Sequence, residues 1–217
     1  MKNRTFGILS WFILVPFLFV MCTPAPKPTD LFNGKDLTGW VAYTDPLDSA
    51  DNSKVFTVRD SVIHITGVPV GYLRTEQVYA DYTFHAEWRW VEAPANSGLF
   101  QRIQTPDQKL PKSIEVQLMA GNAGDFVMLS GSKIAGLSAE EAAKAFPMQR
   151  KMQASNEKPA GEWNTADITC KGDSITVYIN GVLQNKAGGA PASGYIGLQS
   201  EGGPVEFRNL NITCLNQ

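Results

Sequence analysis

From residue 31 onward, polar and apolar positions alternate in short runs separated by Gly, Pro, Asn and Asp, the period of half-buried strands rather than of helices. The longest run, residues 81–91, sets Tyr82, Phe84, Ala86, Trp88 and Trp90 against Thr83, His85, Glu87 and Arg89. A strand divided in that way buries one face and offers the other to solvent. Residues 113–118 repeat the division, with Ile114, Val116 and Leu118 opposed to Ser113, Glu115 and Gln117. Residues 55–58 and 62–65 flank Arg59-Asp60-Ser61 as a hairpin. Residues 175–179 run into Asn180-Gly181, a pair suited to a type I′ turn because both positions need positive φ. Residues 195–199 and 205–208 supply the last predicted strands. A single helix is expected after Ser138, where Ser138-Ala139-Glu140-Glu141 matches a capping box. It falls inside residues 120–162, too long for a hairpin loop and read as a functional insertion over one edge. The pattern is all-β: a sandwich of two antiparallel sheets with one short helix in a long insertion.

Composition sharpens this picture at the N-terminus. Lys2 and Arg4 precede a nearly continuous apolar stretch over residues 6–21, the order of a secretory signal. The stretch is shorter than the roughly 20 apolar residues a bilayer span needs, and Pro16 interrupts it. Phe19-Val20-Met21-Cys22 resembles a bacterial lipoprotein cleavage box, which would make Cys22 the lipidated new N-terminus. The expected organisation is a signal peptide over 1–21, a Pro-rich tether over 22–30 and one β-sandwich domain over 31–217. No acidic residue follows Cys22 closely, which favours anchoring on the periplasmic side, with the lipid as the only membrane contact. Lys+Arg 19 against Asp+Glu 21 gives a net charge of -2 without a basic stripe, so nucleic acid is not an expected partner. In an exported chain, Cys170 and Cys214 are either a disulfide or two separate thiols, and spacing leaves both readings open.

The sequence holds no P-loop, dinucleotide fingerprint, nucleophile elbow or paired-cysteine zinc spacing. Only two histidines occur, His64 and His85, too few for a His-rich metal site. What remains is a polar layer spread over several strands: Glu87 and Arg89; Asn96 and Arg102; Glu115 and Gln117; Gln199 and Glu201. Carboxylates and amides share paired hydrogen bonds with sugar hydroxyls, and arginine grips an oxygen with its fork. The same residues would equally form an ordinary solvent face whose charges pair across strands.

Ordered motifs shift that balance. Leu31-Phe32-Asn33-Gly34-Lys35-Asp36-Leu37-Thr38-Gly39-Trp40 is followed by Gly71-Tyr72-Leu73-Arg74-Thr75, Glu87-Trp88-Arg89, Asn96-Ser97-Gly98-Leu99-Phe100, Glu115-Val116-Gln117, Gly161-Glu162-Trp163-Asn164, Gly197-Leu198-Gln199 and Phe207-Arg208-Asn209-Leu210. The set, spanning residues 31–212, resembles the 3-keto-disaccharide hydrolase domain family. That resemblance implies a concanavalin A-like jelly roll with its site on a concave sheet. It also implies action on di- or oligosaccharides or glycosides already oxidised to a ketone at C3. Elimination from such a substrate needs a base, an enolate stabiliser and an acid. The expected roles are Glu115 or His85 as base, Arg89 or Arg102 as stabiliser, and Glu87 as orienting group or proton donor. Asn96, Gln117, Gln199, Glu201, Tyr72, Arg74 and Arg102 are expected to bind substrate. A divalent cation held by Glu115 and neighbouring oxygens is the alternative electrophile. The family often carries an acidic residue soon after the Glu-x-Gln element; here Leu118-Met119-Ala120 follows instead, which leaves Asp125 as the stand-in. Two other functions use the same residues: a non-catalytic sugar-binding module, and a conventional glycosidase built on Glu87 and Glu115.

Overall fold

The computed structural model describes residues 27–45 and 51–215. The expected signal peptide, Cys22 and the first part of the expected tether lie outside the described residues. Among the described residues, fifteen strands form two antiparallel sheets. The eight-stranded sheet runs β13 (Val182–Ala187), β12 (Ser174–Ile179), β11 (Asn164–Lys171), β6 (Tyr82–Trp90), β15 (Val205–Cys214), β4 (Val62–Ile65) and β3 (Phe56–Arg59), with β1 (Thr29–Asp30) also on β15. The seven-stranded sheet runs β10 (Met148–Gln149), β9 (Phe126–Leu129), β8 (Ser113–Gln117), β7 (Gly98–Ile103), β14 (Tyr195–Ser200), β5 (Gly71–Thr75) and β2 (Trp40–Thr44). The strand order is far from sequence order in both sheets, and the architecture is a jelly roll.

The alternation of β6 holds residue by residue: Tyr82, Phe84, Ala86, Trp88 and Trp90 are buried while the residues between them are half-buried. Those five meet Leu73, Leu99, Ile114, Val116 and Leu198 of the other sheet in one continuous core. Two-residue turns close β3–β4 at Asp60 and Ser61 (φ 53° and 59°) and β12–β13 at Asn180 and Gly181 (φ 47° and 78°), as type I′ geometry requires.

Three features differ from the sequence reading, and a fourth decides between two readings it left open. Thr29 and Asp30 pair with Ile212 and Asn211, so the sandwich starts two residues before Leu31. There are two short helices among the described residues, α1 (Asn52–Val55) and α2 (Ala139–Ala142), where one was expected. The long insertion itself supplies β9 and β10, extending one edge of the seven-stranded sheet. Finally, Cys170 and Cys214 both pair with Tyr82 from opposite sides of β6. Two strand spacings separate them, roughly 9–10 Å, beyond the reach of a disulfide. Cys170 is buried, Cys214 is exposed, and both are free.

Candidate active site

Sheet membership decides which polar residues meet. Glu115 and Gln117 point away from the core on β8, in the seven-stranded sheet, with Glu115 opposite Phe100 on β7 and Val127 on β9. Gln199 projects from β14, and Asn96 forms isolated bridges to Glu201 and Gly202 just beyond that strand. The Ser97 hydroxyl donates to the Gln199 carbonyl at 2.9 Å, which ties the start of β7 to β14. Asn96, Glu115, Gln117, Gln199 and Glu201 thereby line one pocket of about 210 Å³, whose other wall is Leu110, Val127, Leu129, Phe146 and Met148.

The carboxyl of Glu115 lies over Gly98, where a Cβ would stand 2.3 Å from Oε1. Only glycine leaves room for it. Glu115 is almost fully buried, and its Oε1 has no hydrogen-bond partner. Burial, and secondarily the neighbouring Glu201 charge, push its pKa up to about 8. Glu201 is also raised by burial, with the bond from Gln199 working against that shift. Gln199 Nε2 donates to Glu201 Oε2 at 2.7 Å, which turns Gln199 Oε1 away as a second buried acceptor without a donor; Asn96 Oδ1 is a third. Gln117 Oε1 accepts the backbone N–H groups of Leu118 (3.0 Å) and Met119 (2.9 Å). Its amide nitrogen is therefore the end left for a ligand in the pocket that Gln117 lines. The lining pairs two carboxyls with three carboxamides and holds no cationic side chain.

Apart from Leu110, the apolar wall comes from the insertion. Ser138 caps α2 by accepting the Glu141 N–H, but Glu141 does not reciprocate as a capping box would. Its carboxylate accepts instead from the Met148 N–H at 2.9 Å, while the Pro147 carbonyl accepts from Met128 at 2.9 Å. These bonds pin Met148, and with it Phe146, beside the pocket. Asp125 does not stand in for a missing acid: buried, it takes Arg150 Nη1 at 2.7 Å and the Lys151 N–H at 2.8 Å, anchoring the end of the same segment.

The remaining expected residues lie elsewhere. His85, Glu87 and Arg89 are on the outer face of the eight-stranded sheet, with the core between them and Glu115. There His85 bonds Asp167 at 2.7 Å, Glu87 bonds Arg208 and Asn209 at 2.7 Å each, and Arg89 bonds Glu206 at 2.6 Å. Asp167 holds the His85 pKa above its usual value. A Glu87–Glu115 glycosidase pair is thereby excluded. Arg102 sits at a β-bulge, where β7 slips between its pairings of Phe100 with Gly197 and Ile103 with Tyr195, and its φ is 57°. The extra residue turns the side chain inward. Its Nη1 donates to the Gly172 and Pro191 carbonyls, and its guanidinium stands 5.7 Å from the centre of the Tyr82 ring.

Tyr72 and Arg74 share the outer face of the seven-stranded sheet with Glu115 but do not line its pocket. Arg74 grips Asp107 with both prongs at 2.8 Å, and the Tyr72 hydroxyl donates to Asp107 at 2.9 Å. Together they fasten residues 104–112 over an aromatic patch in which Tyr72 stacks on Tyr43 and meets Phe100 edge-on. Arg74 lowers the Asp107 pKa accordingly. The sequence reading missed the apolar wall. Its signal was Phe126-Val127-Met128-Leu129, an unbroken apolar run with all four residues buried, as in a strand covered on both faces. Among the described residues no three His, Cys, Asp or Glu side chains converge as a metal site.

A jelly roll carrying a compact polar pocket on one sheet is a glycosyl hydrolase-like fold. Over residues 27–213 the sequence matches the family model of the 3-keto-alpha-glucoside-1,2-lyase-like domain, and the chain belongs to that family. Among solved structures it is similar to a candidate glycosyl hydrolase of Parabacteroides distasonis, with 25% identity, a TM-score of 0.65, and coverage of 87% of this chain and 94% of the other. A second P. distasonis structure is 22% identical at TM-score 0.64, covering 87% and 100%. The carbohydrate-binding module CBM66 of Bacillus subtilis shares the fold at 11% identity and TM-score 0.58, covering 81% and 95%. No curated protein of similar sequence was found.

Proposed function

We propose that the chain cleaves 3-keto-glycosides in the Glu115 pocket, by elimination followed by addition of water. The observation that carries this is Glu115 itself: a buried, neutral carboxyl with an unpartnered oxygen, beside a second carboxyl in a pocket lined by amides. The volume is small beside the roughly 300–1,000 Å³ that buries drug-sized ligands, which suits one sugar ring rather than a chain.

A ketone at C3 acidifies the C2 proton. Glu201, the less buried carboxyl, takes that proton, and the electron pair moves onto the C3 oxygen as an enolate. The Gln117 amide N–H donates to this oxygen, the role first expected of an arginine. As the enolate collapses, C1=C2 forms, the C1–O glycosidic bond breaks, and neutral Glu115 protonates the departing oxygen. Water then adds at C1: Glu115, now a carboxylate, takes its proton while Glu201 returns the other to C2, giving net hydrolysis. Glu115 thus serves first as acid, where the sequence suggested a base, because burial keeps it protonated at neutral pH. A hard divalent cation is the alternative to this scheme: Glu115 Oε1, Asn96 Oδ1 and Gln199 Oε1 would hold it, with Glu115 ionised, and the cation would supply the electrophilic assistance in place of the acid.

The test is incubation of the purified chain, with and without chelator, with a methyl 3-keto-glucoside, following substrate loss by mass spectrometry. Turnover that falls as pH rises through about 8 is expected from the need for protonated Glu115. Saturable binding without turnover would replace the enzyme by a sugar-binding module, and turnover of the unoxidised glucoside alone would make it a conventional glycosidase. We further propose export and lipid anchoring through Cys22, supported by the residue order of its first 22 positions. Palmitate labelling lost in Cys22→Ala checks this.

A further inference from the structure

The Glu115 pocket has two chemically distinct halves. Its polar side chains come from β8, β14 and the residues flanking β7 and β14, whereas Val127, Leu129, Phe146 and Met148 come from β9, β10 and the approach to β10 on the other side of β8, and with Leu110 they offer side-chain carbon and one thioether. Phe146 is half exposed, at 50%, although backbone bonds hold the two residues that follow it, Pro147 and Met148. A large aromatic side chain fixed at a pocket rim and left open to solvent is shaped for contact with something that arrives. We propose that the leaving group of the natural substrate is an apolar aglycone, aromatic or alkyl, seated against Phe146 and Met148, rather than a second sugar. This rests on the 3-keto-glycoside reading and deepens it.

The polar half takes the oxidised ring, because only there do the hydroxyls and the ketone find partners. Its aglycone then faces the carbon wall. A second pyranose in that position would press its hydroxyls against Leu110, Val127 and Leu129, leaving them desolvated and unpaired, the costliest outcome for a polar group. An aromatic or alkyl group loses nothing there and removes the exposed face of Phe146 from water.

The experiment compares kcat/KM of the full mature chain on methyl, benzyl and glucosyl 3-keto-glucosides. Benzyl alcohol leaves with an acidity close to that of a sugar hydroxyl, so a preference for it reports binding rather than leaving-group chemistry. We expect benzyl to exceed the disaccharide by about tenfold or more, the scale on which pockets discriminate apolar groups. Phe146→Ala should lower kcat/KM about tenfold more for benzyl than for methyl, chiefly through KM. Equal rates for benzyl and glucosyl substrates, or equal losses in Phe146→Ala, would overturn this inference and leave the enzyme reading intact. Absence of turnover with all three would overturn both.

Discussion

The two outer faces of the sandwich carry nearly the same residue types and behave in opposite ways. On the eight-stranded sheet, Glu87 meets Arg208, Arg89 and His64 meet Glu206, His85 meets Asp167, and the Trp163 ring lies 4.0 Å from Arg208 and 4.6 Å from Arg89. On the seven-stranded sheet, Glu115 and Glu201 share a pocket whose lining includes no cation. The consequence appears in their acidities. Burial pushes the Glu87 carboxyl up, but bonds from Asn209 and Arg208 bring it below the usual range; Glu115 has no such bonds and stays high. A carboxyl satisfied across strands stiffens a sheet, whereas one denied a partner keeps its proton for chemistry.

The sharpest break in this comparison is Glu115→Gln. The amide keeps the shape but has no proton to give, so kcat should fall by about 10²–10⁴ while circular dichroism is unchanged. Next comes Gly98→Ala. Its added Cβ would stand 2.3 Å from Glu115 Oε1 and 2.8 Å from Cδ and Cγ, and Gly98 has no positive φ to add backbone strain. Glu115 must swing aside, and a displacement of that size costs about 10²-fold in rate. Stopped assays at saturating substrate would show it as lost kcat. Wild-type rate in Gly98→Ala would mean the carboxyl need not lie where the structure puts it.

Much of this contrast was invisible in the sequence for a definite reason. The alternation of β6 and β8 says which residues leave the core, and it placed Glu87 and Glu115 correctly on polar sides. It does not say which sheet a strand joins, so Glu87-Trp88-Arg89 and Glu115-Val116-Gln117 read as neighbours when the core lies between them. Arg102 was lost to a bulge, since one extra residue reverses the alternation after Gln101. Tyr72 and Arg74 were claimed for the substrate because their partner, Asp107, lies in a loop outside any motif. Asn96, Glu115, Gln117 and Gln199 were legible through their ordered motifs and Glu201 through the polar layer, and the structure brings these five to one pocket.

Stability against pH gives a further measure. Unfolded Glu115 loses its proton near the ordinary glutamate value of 4.5, whereas the folded chain keeps it to about 8. Between those values the native state binds more protons, so stability falls as pH rises, by on the order of a few kcal/mol, and levels off above the folded pKa. Glu115→Gln removes that slope. The difference in urea midpoint between wild type and variant should therefore grow in the variant's favour from pH 5 to 8.5. A constant difference would mean Glu115 is solvated and ionises normally.

The smallest expected effect falls on the other face. The Glu87–Arg208 pair is partly open to solvent, with side-chain exposures of 17% and 39%, so its worth is that of a screened surface pair, about 0.2–1 kcal/mol. Glu87→Gln keeps an acceptor for Asn209 and loses the ion pair. The melting temperature should drop by about 0.4–4 °C for a domain of this size, and the drop should shrink in high salt as screening weakens the wild-type pair. Turnover should stay within about twofold, because any influence of Glu87 on the pocket must pass through the core, and distant, unconnected sites act almost independently. Loss of activity in folded Glu87→Gln would move the chemistry to the charged face and dissolve the distinction between the two sheets.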